Sequence, residues 1–226
     1  MELVSTAVLA ALLLGCGVTL VGEERLRRPT IPWFAIAITS LAVVGLVVQH
    51  AWAGATTALD ADPSRAGWWR HGTATFLQNG GAAGTVFNLV TLAAFAALAE
   101  WAWGTLTAAA LFVAGIVVPA GVGALLAVGP ADDPRGWMGS SGATLFLAGT
   151  LGGALLVRGP RGMAVLALVV AAVAWFVLGN AHGLVACYGT ILGGLVEGAR
   201  VRRAITRRRR RPSSAGPAAS PRPRRS

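Results

Sequence analysis

Ser141 lies in the stretch Gly139-Ser140-Ser141-Gly142, which opens an apolar run continuing to residue 157, and His182 is the only histidine inside a later apolar run. A serine hydroxyl is a poor nucleophile until a base takes its proton, and a neutral imidazole does this near physiological pH. Brought together, the two residues would form a Ser-His dyad for acyl transfer. That chemistry also needs donors aimed at the developing oxyanion. The side-chain candidate is Asn88. It would be joined by the backbone N–H of Ser141, at a helix start where amides lack an intrahelical acceptor. Irregular backbone at membrane depth survives only when buried in protein or lining a cavity, and residues 136–142 suit such a place.

The spacing gives the pair a common depth. Ser141 stands 17 positions before Arg158 and His182 stands 18 before Arg200, so each lies roughly 26 Å from an arginine marker. Taken singly, the residues have plainer readings. Serine in a membrane helix usually packs or bonds to backbone, whereas a histidine inside a span is costly and more often functional. Gly189, Gly193, Gly194 and Gly198 read most simply as a helix-packing face, with Gly149 and Gly153 offering a similar one. Close approach of those faces is what would carry His182 to Ser141.

The elements that must do this positioning are membrane helices. Of 226 residues, 55% are hydrophobic and 12% charged, with mean hydropathy +0.65, too apolar for an ordinary water-facing surface. Cys16 and Cys187 sit inside apolar runs, which indicates neither a disulfide framework nor a metal cluster. The hydropathy pattern predicts seven spans, at about 3–22, 32–50, 85–98, 105–128, 140–157, 163–178 and 181–197. The first has acidic Glu2 and no basic residue ahead of it, with its arginines behind, so it reads as a retained span rather than a signal peptide. Pro119 and nearby glycines are expected to bend the fourth.

All 19 basic residues are arginine. Clusters at 25–28, 158–161 and from 200 onward agree on one orientation, with the N-terminus outside and the C-terminus cytoplasmic in a cell membrane. The turn after the third span carries no positive charge. Residues 51–72 and 129–137 then form outside loops, with Trp68 and Trp69 as interface anchors and His50 and His71 as interface residues away from the dyad. Glu100, beside Trp101 and Trp103, reads as a helix-end or loop-fixing group. From residue 200 the chain is rich in Arg, Pro, Ser and Ala, a composition that buries no core and predicts disorder. Its place beside a span favours anionic lipid headgroups over nucleic acid. The expected organisation is an extra N-terminal helix and link over 1–31, a helical core over 32–199, and an arginine-rich cytoplasmic tail over 200–226.

These motifs resemble those of the rhomboid intramembrane serine proteases. Gly139-Ser140-Ser141-Gly142 is similar to the family's GxSG nucleophile motif, and Asn180-Ala181-His182, followed by Gly189 and Gly193, resembles its histidine helix. Trp69-Arg70 with Thr73 and Phe76 resembles the Trp-Arg segment of the long first loop. Asn88 falls where HxxxN has its oxyanion-binding asparagine, and Glu100 matches an acidic residue closing that helix. The resemblance covers residues 32 to about 200. It implies an all-α, six-helix core with one added N-terminal helix, Ser141 as nucleophile, His182 as general base and acid, and Asn88 as oxyanion donor. It implies cleavage of single-span membrane proteins near the outer face, without metal or cofactor. The chain departs from the family at Gly84, in place of the HxxxN histidine, and at Gln78, in place of a loop histidine. Val185 replaces a glycine that would let helices approach, and Leu145 stands where an aromatic is usual, with Phe146 one position late. Two other classes compete: a catalytically silent relative that binds spans and affects their folding or trafficking, and a small transporter, which predicts more paired intramembrane charges than this chain has.

Overall fold

The computed structural model describes residues 2–62, 65, 67–126 and 138–210. In chain order its helices are α1 (Glu2–Val21), α2 (Glu23–Arg27), α3 (Trp33–Ala51), α4 (Ala55–Leu59), α5 (Arg70–Ala74), α6 (Gly81–Trp103), α7 (Thr105–Leu126), α8 (Ser141–Arg158), α9 (Arg161–Phe176) and α10 (Ala181–Arg210). No strand occurs among the described residues. Long apolar runs take this form because a helix satisfies its backbone groups internally, which lipid demands. Among the described residues, six helices are long and apolar enough to cross a membrane: α1, α3, α6, α7, α8 and α10. The chain is an all-α, multi-pass membrane protein. α9 has the apolar composition but only 16 residues. At 1.5 Å per residue it reaches about 24 Å, short of a hydrocarbon core of roughly 30 Å.

The bundle is arranged around α8. In its apolar window 72% of residues are buried, against 17–33% in the other five long helices, so α8 is the central column and the others form its wall. Its composition allows this, because Gly, Ala and Thr recur along it and let neighbours approach closely. α10 packs on it most extensively, followed by α1, α7 and α6. The glycine faces interlock backbone to backbone. A Cβ added at Gly189 would stand 2.0 Å from the Phe146 carbonyl oxygen, one at Gly193 2.1 Å from that of Thr150, and one at Gly153 2.0 Å from that of Thr190. Gly198, expected on the same face, meets open space and takes no part. Ala186, Gly189 and Gly193 carry the close contact with α8.

Other polar contacts fix the helix ends. Glu100, buried near the end of α6, accepts the N–H groups of Phe34 (2.8 Å) and Ala35 (3.2 Å) and the Thr105 hydroxyl (2.6 Å). A carboxylate thus satisfies two orphan amides at the start of α3, where the helix dipole favours negative charge. Arg200 donates to the Trp103 carbonyl at 3.0 Å and stacks over that ring at 4.8 Å, and Arg158 pairs with buried Glu197.

Two expectations change. α10 runs on to Arg210 instead of yielding to disorder at 200, because Arg and Ala favour helix and no breaker intervenes before Pro212. α6 begins at Gly81, four residues ahead of its expected start. α7 contains Pro119, as the expected fourth span did. The expected loop at 129–137, with Asp132, Asp133 and Arg135, and the tail beyond 210 lie outside the described residues.

Candidate active site

Ser141 is the first residue of α8, reached through Gly139 at φ +117°, a conformation L side chains rarely adopt. The N–H of Gly139 donates to the Ala74 carbonyl at 2.9 Å, tying this approach to the end of α5. Of the two serines, Ser140 is wholly buried, while Ser141 is partly exposed and presented to α10. Its Oγ lies 2.9 Å from Nε2 of His182.

His182 sits in the first turn of α10. The chain leaves α9 through Gly179, whose φ of 65° supplies the left-handed residue that ends many helices. Asn180 then starts α10. Its Oδ1 accepts the His182 backbone N–H at 3.0 Å, an N-cap contact, and lies 2.9 Å from His182 Nδ1. An amide oxygen only accepts, so in the neutral ring this contact favours the proton on Nδ1 and leaves the Nε2 lone pair for the Ser141 hydroxyl. Glu2 Oε1 lies 3.9 Å from the same Nδ1.

Asn88 is buried on α6, and its Nδ2 donates to Gln78 Oε1 at 2.8 Å. A Cβ built on Gly139 would stand 3.6 Å from Asn88 Nδ2 and 3.8 Å from Ser141 Oγ. The amide and the hydroxyl therefore flank one small space, left open because residue 139 has no side chain. An atom placed there would face both the nucleophile and a nitrogen donor. Gln78 is in turn held at its backbone by Gln49, whose Oε1 accepts the Gln78 N–H at 2.8 Å and whose Nε2 donates to its carbonyl at 2.7 Å. At Gly84, one turn before Asn88, a Cβ would meet open space.

The loop between α3 and α6 frames this space. Arg70 donates to the Asp60 carbonyl at 3.2 Å and lies over Trp69 at 5.1 Å, and the Thr73 hydroxyl donates to the Leu59 carbonyl at 2.7 Å. These bonds join α4 to α5 and seat Leu77 and Gln78, both buried, against the bundle. His50 is exposed with its ring on the Leu46 carbonyl, away from the dyad. Among the described residues no group of three or more His, Cys, Asp or Glu could hold a metal ion.

Comparison with protein-family models, with curated proteins and with solved structures finds no match to this chain. Of the three residues expected from sequence, Ser141 and His182 are in contact, and Asn88 Nδ2 lies on the other side of the Gly139 position, bonded to Gln78. Asn180 and Gln78 are additions. An asparagine two places before a histidine at a helix start is an N-cap signal, and that signal was present for Asn180. Gln78 carried none beyond being a departure from the family pattern.

Proposed function

We propose that this chain is an intramembrane serine endopeptidase of the rhomboid kind, cutting single-span membrane proteins near the outer surface. In this reading α3, α6, α7, α8, α10 and the shorter α9 form a six-helix core, α1 is an added N-terminal helix, and the C-terminal arginines face the cytoplasm and anionic lipid. The observation that carries it is the 2.9 Å contact between Ser141 Oγ and His182 Nε2, made between residues 41 apart by two glycine-interlocked helices. The reaction follows from general chemistry. His182 Nε2 takes the hydroxyl proton as Ser141 Oγ attacks the scissile carbonyl carbon, and the oxyanion takes donors from Asn88 and the Ser141 N–H. The imidazolium then protonates the leaving amine as the C–N bond breaks. Water, deprotonated by His182, cleaves the acyl ester and restores Ser141. Removal of one oxyanion donor typically costs 10²–10³-fold in turnover, so Gly84 in place of a histidine predicts a slow enzyme rather than an inert one.

The test is reconstitution in liposomes with a generic single-span substrate and, in parallel, a fluorophosphonate probe. Wild type should cleave the substrate and label at Ser141, and Ser141→Ala and His182→Ala should do neither. Cleavage that survives Ser141→Ala refutes the assignment. Folded wild type that neither cleaves nor labels would instead be the catalytically silent relative.

A further inference from the structure

We infer that α1 belongs to the active site: Asn180 is the positioning residue for His182, and Ser5 and Thr6 of α1 decide which end of the Asn180 amide faces the imidazole. The inference rests on the Ser141–His182 reading and assigns the first helix a part in it. Asn180 is buried, and its Nδ2 lies 2.9 Å from Thr6 Oγ1, 3.0 Å from Ser5 Oγ and 3.5 Å from the Glu2 carbonyl. The Ser5 hydroxyl spends its hydrogen on the Glu2 carbonyl at 2.9 Å, so it offers Asn180 only lone pairs. That side of the amide must be the NH2.

The consequence reaches the ring. With NH2 on α1, the amide oxygen faces Nδ1 and holds a proton there, leaving Nε2 to accept from Ser141. A flipped amide would press NH2 against Nδ1, drive the proton to Nε2 and turn that proton toward the serine. The histidine would then be the wrong tautomer for a general base. Glu2 Oε1, 3.9 Å from Nδ1, adds from the same helix a carboxylate beside the imidazolium that forms in the reaction.

A plainer role for Asn180 is to cap α10, and it does accept the His182 N–H. A cap needs one acceptor oxygen. It gives no reason for two hydroxyls from a helix about 175 residues away to hold the opposite end of the amide. Polar side chains clustered at the mouth of an apolar span are costly unless mutually satisfied.

The test reads the tautomer directly. The full chain, labelled with 15N-histidine in nanodiscs, holds three histidines, and His182→Gln assigns the signal of interest. Long-range 1H–15N spectra of the neutral ring distinguish Nδ1–H from Nε2–H without any turnover. Wild type should show Nδ1–H. Asn180→Asp, which keeps an acceptor at the ring, should retain Nδ1–H and label Ser141 within about tenfold of wild type. Asn180→Ser keeps a capping oxygen but is one bond too short for the ring. It should lose the Nδ1–H preference and label about 10²–10³-fold more slowly, within the roughly 10⁴-fold seen when a catalytic histidine is held as the wrong tautomer. Ser5→Ala with Thr6→Val should move both readouts the same way by a smaller factor, and decides the matter if Asn180→Ser does not fold. A tautomer unchanged in both would overturn the inference, with labelling of wild type still supporting the protease. A tautomer that shifts as stated in a protein that never labels supports the positioning network and removes the protease reading.

Discussion

Replacing Gly189 by alanine should separate the dyad without touching it. The added Cβ would lie 2.0 Å from the Phe146 carbonyl oxygen and 2.8 Å from its carbon, where real Cβ atoms essentially never come closer than 3.0 Å. α8 and α10 must therefore part by at least about 1 Å at that level. Gly189 lies two turns below His182, and Phe146 little more than one below Ser141, so a rigid shift passes to the site. It would stretch the 2.9 Å Oγ···Nε2 contact to nearly 4 Å, beyond a hydrogen bond. A misplacement of this size costs about 10²-fold in rate. The overpacking itself should cost about 1–3 kcal/mol of stability. The assay is the rate of fluorophosphonate labelling in nanodiscs beside the thermal unfolding midpoint. Gly198→Ala is the matched control on the same helix, since its Cβ meets nothing within 4 Å and helix propensity should give a gain of about 0.5–1 kcal/mol. If Gly189→Ala labels within twofold of wild type, the interlocked glycines do not set the Ser141–His182 distance.

Asn88→Ala should lower substrate cleavage by about 10²–10³-fold, the usual effect of one lost oxyanion donor, while Ser141 and His182 stay in contact. Equal cleavage in steady-state kinetics would remove Asn88 from the site. Gly139→Ala should cost roughly 1–3 kcal/mol through its φ of +117° and should also fill the space between Asn88 and Ser141. Unfolding midpoint and cleavage should therefore fall together. Glu100→Ala should destabilise by about 1.5–3 kcal/mol in thermal unfolding, because it strips a charged acceptor from two amides of α3. Glu100→Gln, which keeps an acceptor oxygen, should lose distinctly less.

The dyad was legible in the sequence because helical rise and two arginine markers put Ser141 and His182 at one depth, and glycine spacing gave their helices matching faces. What sequence could not give was rotation. The positive φ of Gly139 and its bond to the Ala74 carbonyl fix how the chain enters α8, and that bond joins distant segments. Asn180 read only as part of a motif, since the partners that orient it come from α1. Gln78 looked like a missing histidine, whereas it is the acceptor for Asn88. The α3–α6 connection was correctly loop-like in composition, yet the Arg70–Asp60 and Thr73–Leu59 bonds organise it around two short helices. At the other end, α10 outran its apolar stretch because arginine is a good helix former even where it is useless as a core residue.

The bonds from Asn180 to Ser5 and Thr6 span 175 and 174 residues. A ribosome releases the first of these segments long before the second. Nascent protein that ends before α10 lacks His182, and even the emerging His182 lacks its oriented amide until α10 finds α1. For the protease proposed above, activity would thus switch on only once α10 has docked on α1, sparing the chain's neighbours in the translocon.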